Sequence, residues 1–210
     1  MEEYSEKQLS ILKVAERLFA DQGFHGTSVR DIAQEADVNI AMISYYFGSK
    51  DKLLETIFTY RLEASRKFIN ELLENDTLEP LDKINSLIDR FINKMLGEQY
   101  FQCIMSREQL NSQQSPVRDL IWQLKGEMLG LMQPIVTNAQ EAGIFDKDVD
   151  VEMLMTTLFG TIHQVIPAQH ILKKNAPADV TTDEEFSVYI KNRVSIHLKK
   201  LFKAILTHEF

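Results

Sequence analysis

The sequence predicts an all-α protein of about nine helices, and three observations support this. The composition is 44% hydrophobic and 26% charged, with only 5 Pro and 8 Gly, which favours helix over strand. Apolar residues recur at helical spacing along most of the chain. Capping residues stand where several of these periodic segments begin or end. A chain of 210 residues can also bury a substantial core.

The first helix is predicted over residues 7–21. Its apolar residues fall on one face, namely Ile11, Leu12, Ala15, Leu18 and Phe19. Gly23 follows and suits a left-handed cap, which is expected to bring Phe24 against Phe19.

Two short helices come next. Ser28 and Asp31 have the spacing of a capping box, so a second helix is predicted to begin at Ser28. It ends near Asp37, since Asp is one of the few residues besides Gly that tolerate a positive φ. Asn39 then supplies the N-cap of a third helix over residues 40–46. Two short helices joined by such a turn are typical of a helix-turn-helix, here residues 28–47.

In a helix-turn-helix the second helix lies in the major groove of DNA. Val38, Ile43 and Phe47 are predicted to face inward. The residues predicted to face outward are Ile40, Ala41 and Ser44, together with Met42 and Tyr45. Contact with thymine methyl groups is the functional interpretation of Ile40, Ala41 and Met42, and ordinary helix packing is the alternative.

The rest of the chain predicts six further helices. One begins at Ser49 and breaks between residues 75 and 80, and Pro80 suits the first turn of the next. The others are predicted at 98–112, 116–142, 150–172 and 184–208.

The net charge of −8, taken alone, argues against a nucleic-acid partner, because Lys and Arg supply most of the affinity for phosphates. Residues 1–67, however, carry 9 Lys and Arg against 11 Asp and Glu, while residues 68–210 carry 14 against 20. The two segments therefore have net charges of −2 and −6, and the acidity is concentrated in the second.

Residues 11–54, ILKVAERLFADQGFHGTSVRDIAQEADVNIAMISYYFGSKDKLL, closely resemble the TetR/AcrR family of bacterial transcriptional regulators. The resemblance joins an ILxxAxxLFAxxGF helix, a TSVxDIAxxA helix, a recognition segment ending in YYF and a GSKxxLL helix start. Residues 142–162, AGIFDKDVDVEMLMTTLFGTI, are similar to the start of the penultimate helix in the family's regulatory domains.

The resemblance implies a homodimer with a DNA-binding head over residues 1–50 and a body over residues 51–210, connected by the helix that starts at 49. The expected function is a ligand-responsive repressor that binds a near-palindromic operator in double-stranded DNA and is released by a small-molecule effector. Helices near 150–172 and 184–208 are expected to contact the partner subunit. Packing of the apolar side of the last helix within one subunit is the alternative.

The motif and the resemblance together predict the residues that contact DNA: Thr27, Ser28, Arg30, Asn39, Ile40, Ala41, Met42, Ser44, Tyr45, Tyr46 and Lys50. Tyr45 and Tyr46 are expected to pack their rings and to direct their hydroxyls to phosphates. Lys50 is expected to contact a phosphate at the first turn of the fourth helix.

Two residues depart from the family pattern. Asp37 stands where the family usually has Gly, and Ser44 stands where it usually has Tyr. A carboxylate near DNA repels phosphates unless it faces away, whereas Ser44 can still donate to a phosphate. Both departures are interpreted as altered contacts within a working DNA-binding head.

The body contains Met, aromatic, Gln and His residues that suit an adaptable ligand pocket, with ordinary core packing as the alternative. The predicted pocket residues are Met95, Gln99, Phe101, Gln102, Met105, Trp122, Met128 and His163. No catalytic residues, cofactor or metal site are predicted. His163 and His170 share a helix, but two ligands on one face are too few for a metal.

The single Cys103 cannot form an internal disulfide, and the acidic start MEEYSEK lacks the features of a secretory signal. Cytoplasmic localisation is therefore expected. The most apolar stretch, from Met153, is too short and too polar to cross a membrane. The alternative function is a helical interaction protein that pairs with another regulator and does not bind DNA.

Overall fold

The computed structural model describes residues 4–75, 77–110 and 115–207, and in these ranges it contains nine α-helices and no strand. The helices are α1 (Glu6–Gln22), α2 (Val29–Glu35), α3 (Ile40–Phe47), α4 (Lys50–Leu73), α5 (Pro80–Gly97), α6 (Gln99–Leu110), α7 (Arg118–Glu141), α8 (Val151–Lys174) and α9 (Asp183–Thr207). The all-α prediction and the order of the helices are confirmed. The predicted helix ends at 112 and 208 lie outside the described residues.

The chain divides into two compact units. The first unit comprises Met1–Phe68 and Gln99–Gly126, and the second comprises Ile69–Glu98 and Glu127–Phe210. The helix-turn-helix therefore belongs to a unit that also contains α6 and the beginning of α7. A functional boundary at residue 50 stays a prediction.

The first unit is built around α1, which packs against α2 and α6. Ile11, Phe19 and Phe58 are almost completely buried in its core. An ion pair joins α1 to α4, because the Arg61 guanidinium donates to both carboxylate oxygens of Glu16, at 2.9 and 2.7 Å. Glu16 is only 6% exposed, so this carboxylate depends on Arg61 for compensation of its charge.

In the second unit α9 packs along α5, and α8 contacts both. The apolar side of α9 is buried there, with its exposed fractions at 5% or less in Phe186, Ile190, Val194, Leu198 and Phe202. The Asp89 carboxylate accepts hydrogen bonds from the Ser195 hydroxyl at 2.6 Å and the Lys199 ammonium at 2.5 Å. These five residues of α9 therefore pack within one subunit, as in the alternative interpretation of this helix.

Within the described ranges, no helix has both the length and the apolar character needed to cross a bilayer. In the same part of the chain, no group of three or more His, Cys, Asp and Glu side chains is arranged to hold a metal ion.

Candidate nucleic-acid interface

The start of α2 is held by the capping box that the sequence predicts. The Ser28 hydroxyl accepts from the Asp31 backbone N–H at 3.2 Å, and the Asp31 carboxylate accepts from the Ser28 backbone N–H at 2.8 Å. Hydrogen bonding by the Ser28 side chain, and then by its backbone, lowers the pKa of Asp31 below its ordinary value. The carboxylate therefore stays ionised to lower pH than an ordinary aspartate, and the cap that positions α2 is complete.

The turn between α2 and α3 depends on Asp37. Its φ of 51° is the only positive φ outside glycine in the described part of the chain. The next residue, Val38, donates its backbone N–H to the Ala33 carbonyl at 3.0 Å and packs partly buried against the core. The chain thus reverses within a few residues, as the sequence predicts for an Asp at this position.

The third helix, α3, is capped at both ends, and its inner face is packed against the core. The Asn39 side chain accepts from the Ala41 backbone N–H at 2.9 Å. At the other end Gly48, with a φ of 77°, donates its N–H to the Ser44 carbonyl at 2.9 Å. Ile43 and Phe47 are buried, which confirms their predicted inward orientation.

The opposite face of α3 is open to solvent. Ala41 and Ser44 are exposed, and Ile40 retains 42% of its accessible surface although it is apolar. Met42 and Tyr46 are partly buried. A short helix with small and apolar residues on its free face has the shape and chemistry to enter a major groove.

Tyr45 and Tyr46 differ from each other. The Tyr46 ring packs against the core, as predicted. Tyr45 is 83% exposed, and its ring centroid lies 5.2 Å from that of Tyr46. The expectation that the Tyr45 ring is packed in the core is therefore wrong, because this residue lies on the outer face of α3, where its ring contacts only that of Tyr46 among the ring contacts of the described residues.

Thr27 faces the interior of the first unit. It is 1% exposed, and its hydroxyl donates to the carbonyls of Gly23 at 2.9 Å and Leu18 at 3.1 Å. A buried hydroxyl that bonds the end of α1 cannot also reach a phosphate. The expected DNA contact by the Thr27 side chain is corrected accordingly, whereas its neighbours Ser28 and Arg30 are exposed.

Lys50 is partly buried and already has partners. Its ammonium donates to the carbonyls of Phe24 at 2.8 Å and Thr27 at 3.0 Å. The same nitrogen lies 4.2 Å from the centroid of the Phe24 ring, within the range of a cation–π interaction. Lys50 thus already has partners within the protein, and its predicted contact with a phosphate stays a prediction.

A shallow cavity of about 470 Å³ adjoins the N-terminal end of α3. Its lining includes Gln34, Asp37, Asn39 and Met42, together with Lys7 of α1. The place of Lys7 could not be predicted from the sequence, because nothing in the local pattern of α1 indicates that its first turn lies beside a turn some 30 residues later. Lys7 adds a positive charge next to the face that carries Asp37.

Most of the chain matches two known protein-family descriptions. Residues 11–57 match the family described as "Bacterial regulatory proteins, tetR family", and residues 58–203 match "YsiA-like protein, C-terminal region". The chain belongs to the TetR family. This TetR-family protein is a transcriptional regulator with an N-terminal helix-turn-helix.

Individual relatives agree with this assignment. The HTH-type transcriptional repressor NicS of Pseudomonas putida is 29% identical over 141 residues, which are 67% of this chain and 66% of that protein. The fatty acid metabolism regulator protein of Bacillus subtilis is 25% identical over 169 residues, 79% of this chain and 84% of that one. The crystal structure of FadR from Bacillus subtilis in complex with stearoyl-CoA has the same fold, with a TM-score of 0.64, 22% identity and coverage of 90% and 96% of the two chains.

The predicted pocket residues of this TetR-family regulator are divided between its two units. Phe101 and Met105 belong to the core of the first unit, and the Phe101 ring lies 5.0 Å from the Phe58 ring. Trp122 is 61% exposed, with the Lys125 ammonium 5.2 Å from its ring. A role of these three residues in lining a ligand pocket stays a prediction.

The other predicted pocket residues have mixed positions. Gln102 is buried and Gln99 is exposed, both in the first unit. In the second unit Met95 and Met128 are buried, while His163 is partly buried. A role of these five in binding an effector stays a prediction.

Asp37→Asn is expected to tighten binding to DNA of any sequence. Asn also tolerates a positive φ, so the turn keeps its shape while one negative charge per subunit is removed. We expect roughly a threefold gain per dimer, from about 0.3 kcal/mol for each exposed charge. The measurement is fluorescence anisotropy with operator and random duplexes, and a gain equal on both is the expected pattern. Unchanged affinity would mean that the carboxylate faces away from DNA.

Proposed function

We propose that the protein is a dimeric repressor that binds a near-palindromic operator and is released by a small-molecule effector. The observation that carries this proposal is the free outer face of α3, which is held rigidly by caps at both ends and by Ile43 and Phe47 below. This face lies within residues 11–57, the segment that matches the TetR family.

We place the outer face of α3 in the major groove. Ile40, Ala41 and Met42 then meet thymine methyl groups and supply sequence preference, while Ser44 and the hydroxyls of Tyr45 and Tyr46 donate to phosphates. Ser28 and Arg30 at the start of α2 contact the backbone beside the groove. The DNA-binding head is proposed to extend over residues 1–50 and the body over residues 51–210.

Two copies are needed because one short helix contacts only a few base pairs. We propose that α8 and α9 form the contact between subunits. Four apolar side chains on these helices are more than half exposed, namely Met153, Ile171, Val188 and Ile196. None of these four residues belongs to the apolar stripe of α9 that packs inside the subunit. Burying their exposed apolar surface against a second subunit favours association.

The body is proposed to hold the effector and to perform no chemistry on it, in line with relatives that are transcriptional regulators. Stearoyl-CoA is the first effector to test, because a structural neighbour was crystallised with it and a 25% identical relative regulates fatty acid metabolism. The proposed place of action is the cytoplasm, where bacterial DNA is found.

The test is selection of genomic fragments on the purified protein, followed by anisotropy with the enriched duplex and by sedimentation of the free protein. We expect a near-palindrome, the mass of two chains, and weaker operator binding when stearoyl-CoA is added but not when CoA alone is added. Absence of any enriched sequence at moderate salt would refute the repressor and favour an interaction protein without DNA binding. Enrichment without a response to stearoyl-CoA would refute only this effector.

A further inference from the structure

Lys50 links two segments that are distant in sequence. It is the first residue of α4, separated from the end of α3 only by Gly48 and Ser49. Its ammonium bonds two carbonyls of the turn that precedes α2, those of Phe24 and Thr27, and lies over the Phe24 ring. One side chain thus connects the exit from α3 with the entry to α2.

The segment that Lys50 grips is itself immobilised. The Thr27 hydroxyl bonds the Gly23 and Leu18 carbonyls, and the Gly23 N–H donates to the Phe19 carbonyl at 3.0 Å. The turn is therefore attached to the end of α1. Because Lys50 bonds this turn, the start of α4 is held at a fixed distance from it. The last turn of α3, separated from Lys50 by only two residues, is held with it.

The hydrogen bonds of Lys50 argue against phosphate neutralisation as its main task. An ammonium has three N–H donors, and two of them point to carbonyls at short distances. Carbonyl oxygens and the face of an aromatic ring also offset part of the positive charge. The ammonium of Lys50 is therefore less available to a phosphate than that of a solvated lysine, and it bonds the turn before α2 instead.

We propose that Lys50 is a positioning residue for operator recognition, which sets the orientation of α3 relative to α2 by clamping the turn before α2. This proposal rests on the proposed function. It assigns to Lys50 a contribution to sequence preference that acts through α3 and not through contact with DNA.

Three roles of a lysine can be separated by measurement. Loss of a phosphate contact weakens binding to all sequences and reduces the slope of log K against log salt by about 0.9 per contact. Loss of stability lowers the fraction of folded protein, and this weakens binding to operator DNA and to random DNA by the same factor. Loss of orientation weakens operator binding more than binding to random DNA, because only the operator requires the base contacts of α3.

The experiment compares Lys50→Met with Lys52→Met. Lys52 lies on the same first turn of α4 and pairs with Glu55 at 2.6 Å, so its replacement removes the same charge without touching the clamp. We expect Lys50→Met to reduce the ratio of operator to random affinity by about tenfold or more, the equivalent of roughly one base contact. The two variants should have salt slopes that agree within about half a unit.

An unchanged ratio in Lys50→Met would overturn the proposal, whether or not its salt slope falls below that of Lys52→Met. Hydrogen exchange in the free protein supplies a readout that needs no DNA. Amides of residues 24–27 and of α3 should exchange faster in Lys50→Met and remain unchanged in Lys52→Met, and equal exchange would also overturn the clamp. A wild-type protein without operator preference refutes the proposed function, and the exchange data still decide whether the clamp exists.

Discussion

Ala41→Asp is expected to abolish the preference for the operator and to weaken operator binding by at least about 30-fold. Ala41 is exposed in the first turn of α3, next to the Asn39 cap. A carboxylate at this position lies among base acceptors and phosphates in the proposed groove. A lost base contact costs about 1–3 kcal/mol, and a dimer loses it twice. Anisotropy with operator and random duplexes measures both the loss and the preference.

The substitution should leave the head folded, because an acidic residue in the first turn of a helix interacts favourably with its N-terminus. Ala41→Ser is the matched control, since it adds a small neutral group at the same place. We expect Ser to retain most of the preference and circular dichroism to be the same in both variants. If Ala41→Asp bound the operator like the wild type, α3 would not lie in the groove.

Arg61→Met should lower the free energy of unfolding by about 3 kcal/mol, as expected when one partner of a buried ion pair is removed. Glu16 is 8% exposed and Arg61 is 23% exposed at their side chains, so neither is well solvated. Met retains most of the aliphatic volume of Arg and removes both hydrogen bonds to Glu16. Urea denaturation followed by circular dichroism, at one fixed protein concentration, measures the change.

Two controls define the cause. The double variant Glu16→Leu with Arg61→Met leaves no charge at this pair, and we expect it to recover most of the lost stability. Arg17→Ala breaks the more exposed pair between Arg17 and Glu35, at 2.6 Å, and should cost less than about 1 kcal/mol. A double variant as unstable as Arg61→Met would show that packing, and not an unpaired charge, determines the loss.

The helix-turn-helix could be predicted because the interactions that define its helix ends and its turn are local. Ser28 forms a capping box with Asp31, three residues later in the sequence. Asn39 caps α3 through the backbone N–H of Ala41, two residues later. Gly23 and Gly48 end their helices with positive φ, and Asp37 makes the turn. Each of these interactions joins residues within about one helical turn, so the amino-acid sequence specifies both partners.

The role of several side chains could not be predicted, because their partners are remote. Lys50 bonds carbonyls 23 and 26 residues earlier. Phe101 packs on Phe58, far earlier in the chain, and so belongs to the core of the first unit. Helical periodicity predicts that one face of a helix is buried, but it does not indicate which other element packs against that face.

The sequence by itself therefore determined the helices, their caps, the turn at Asp37 and the outward direction of Ala41 and Ser44, since these follow from backbone geometry and neighbouring residues. The tertiary structure alone decided that Thr27 is buried, that Lys50 bonds the turn before α2 and that the apolar side of α9 packs on α5. The physical reason is the same in each case. These outcomes depend on which helices meet, and that is a property of the whole packed chain.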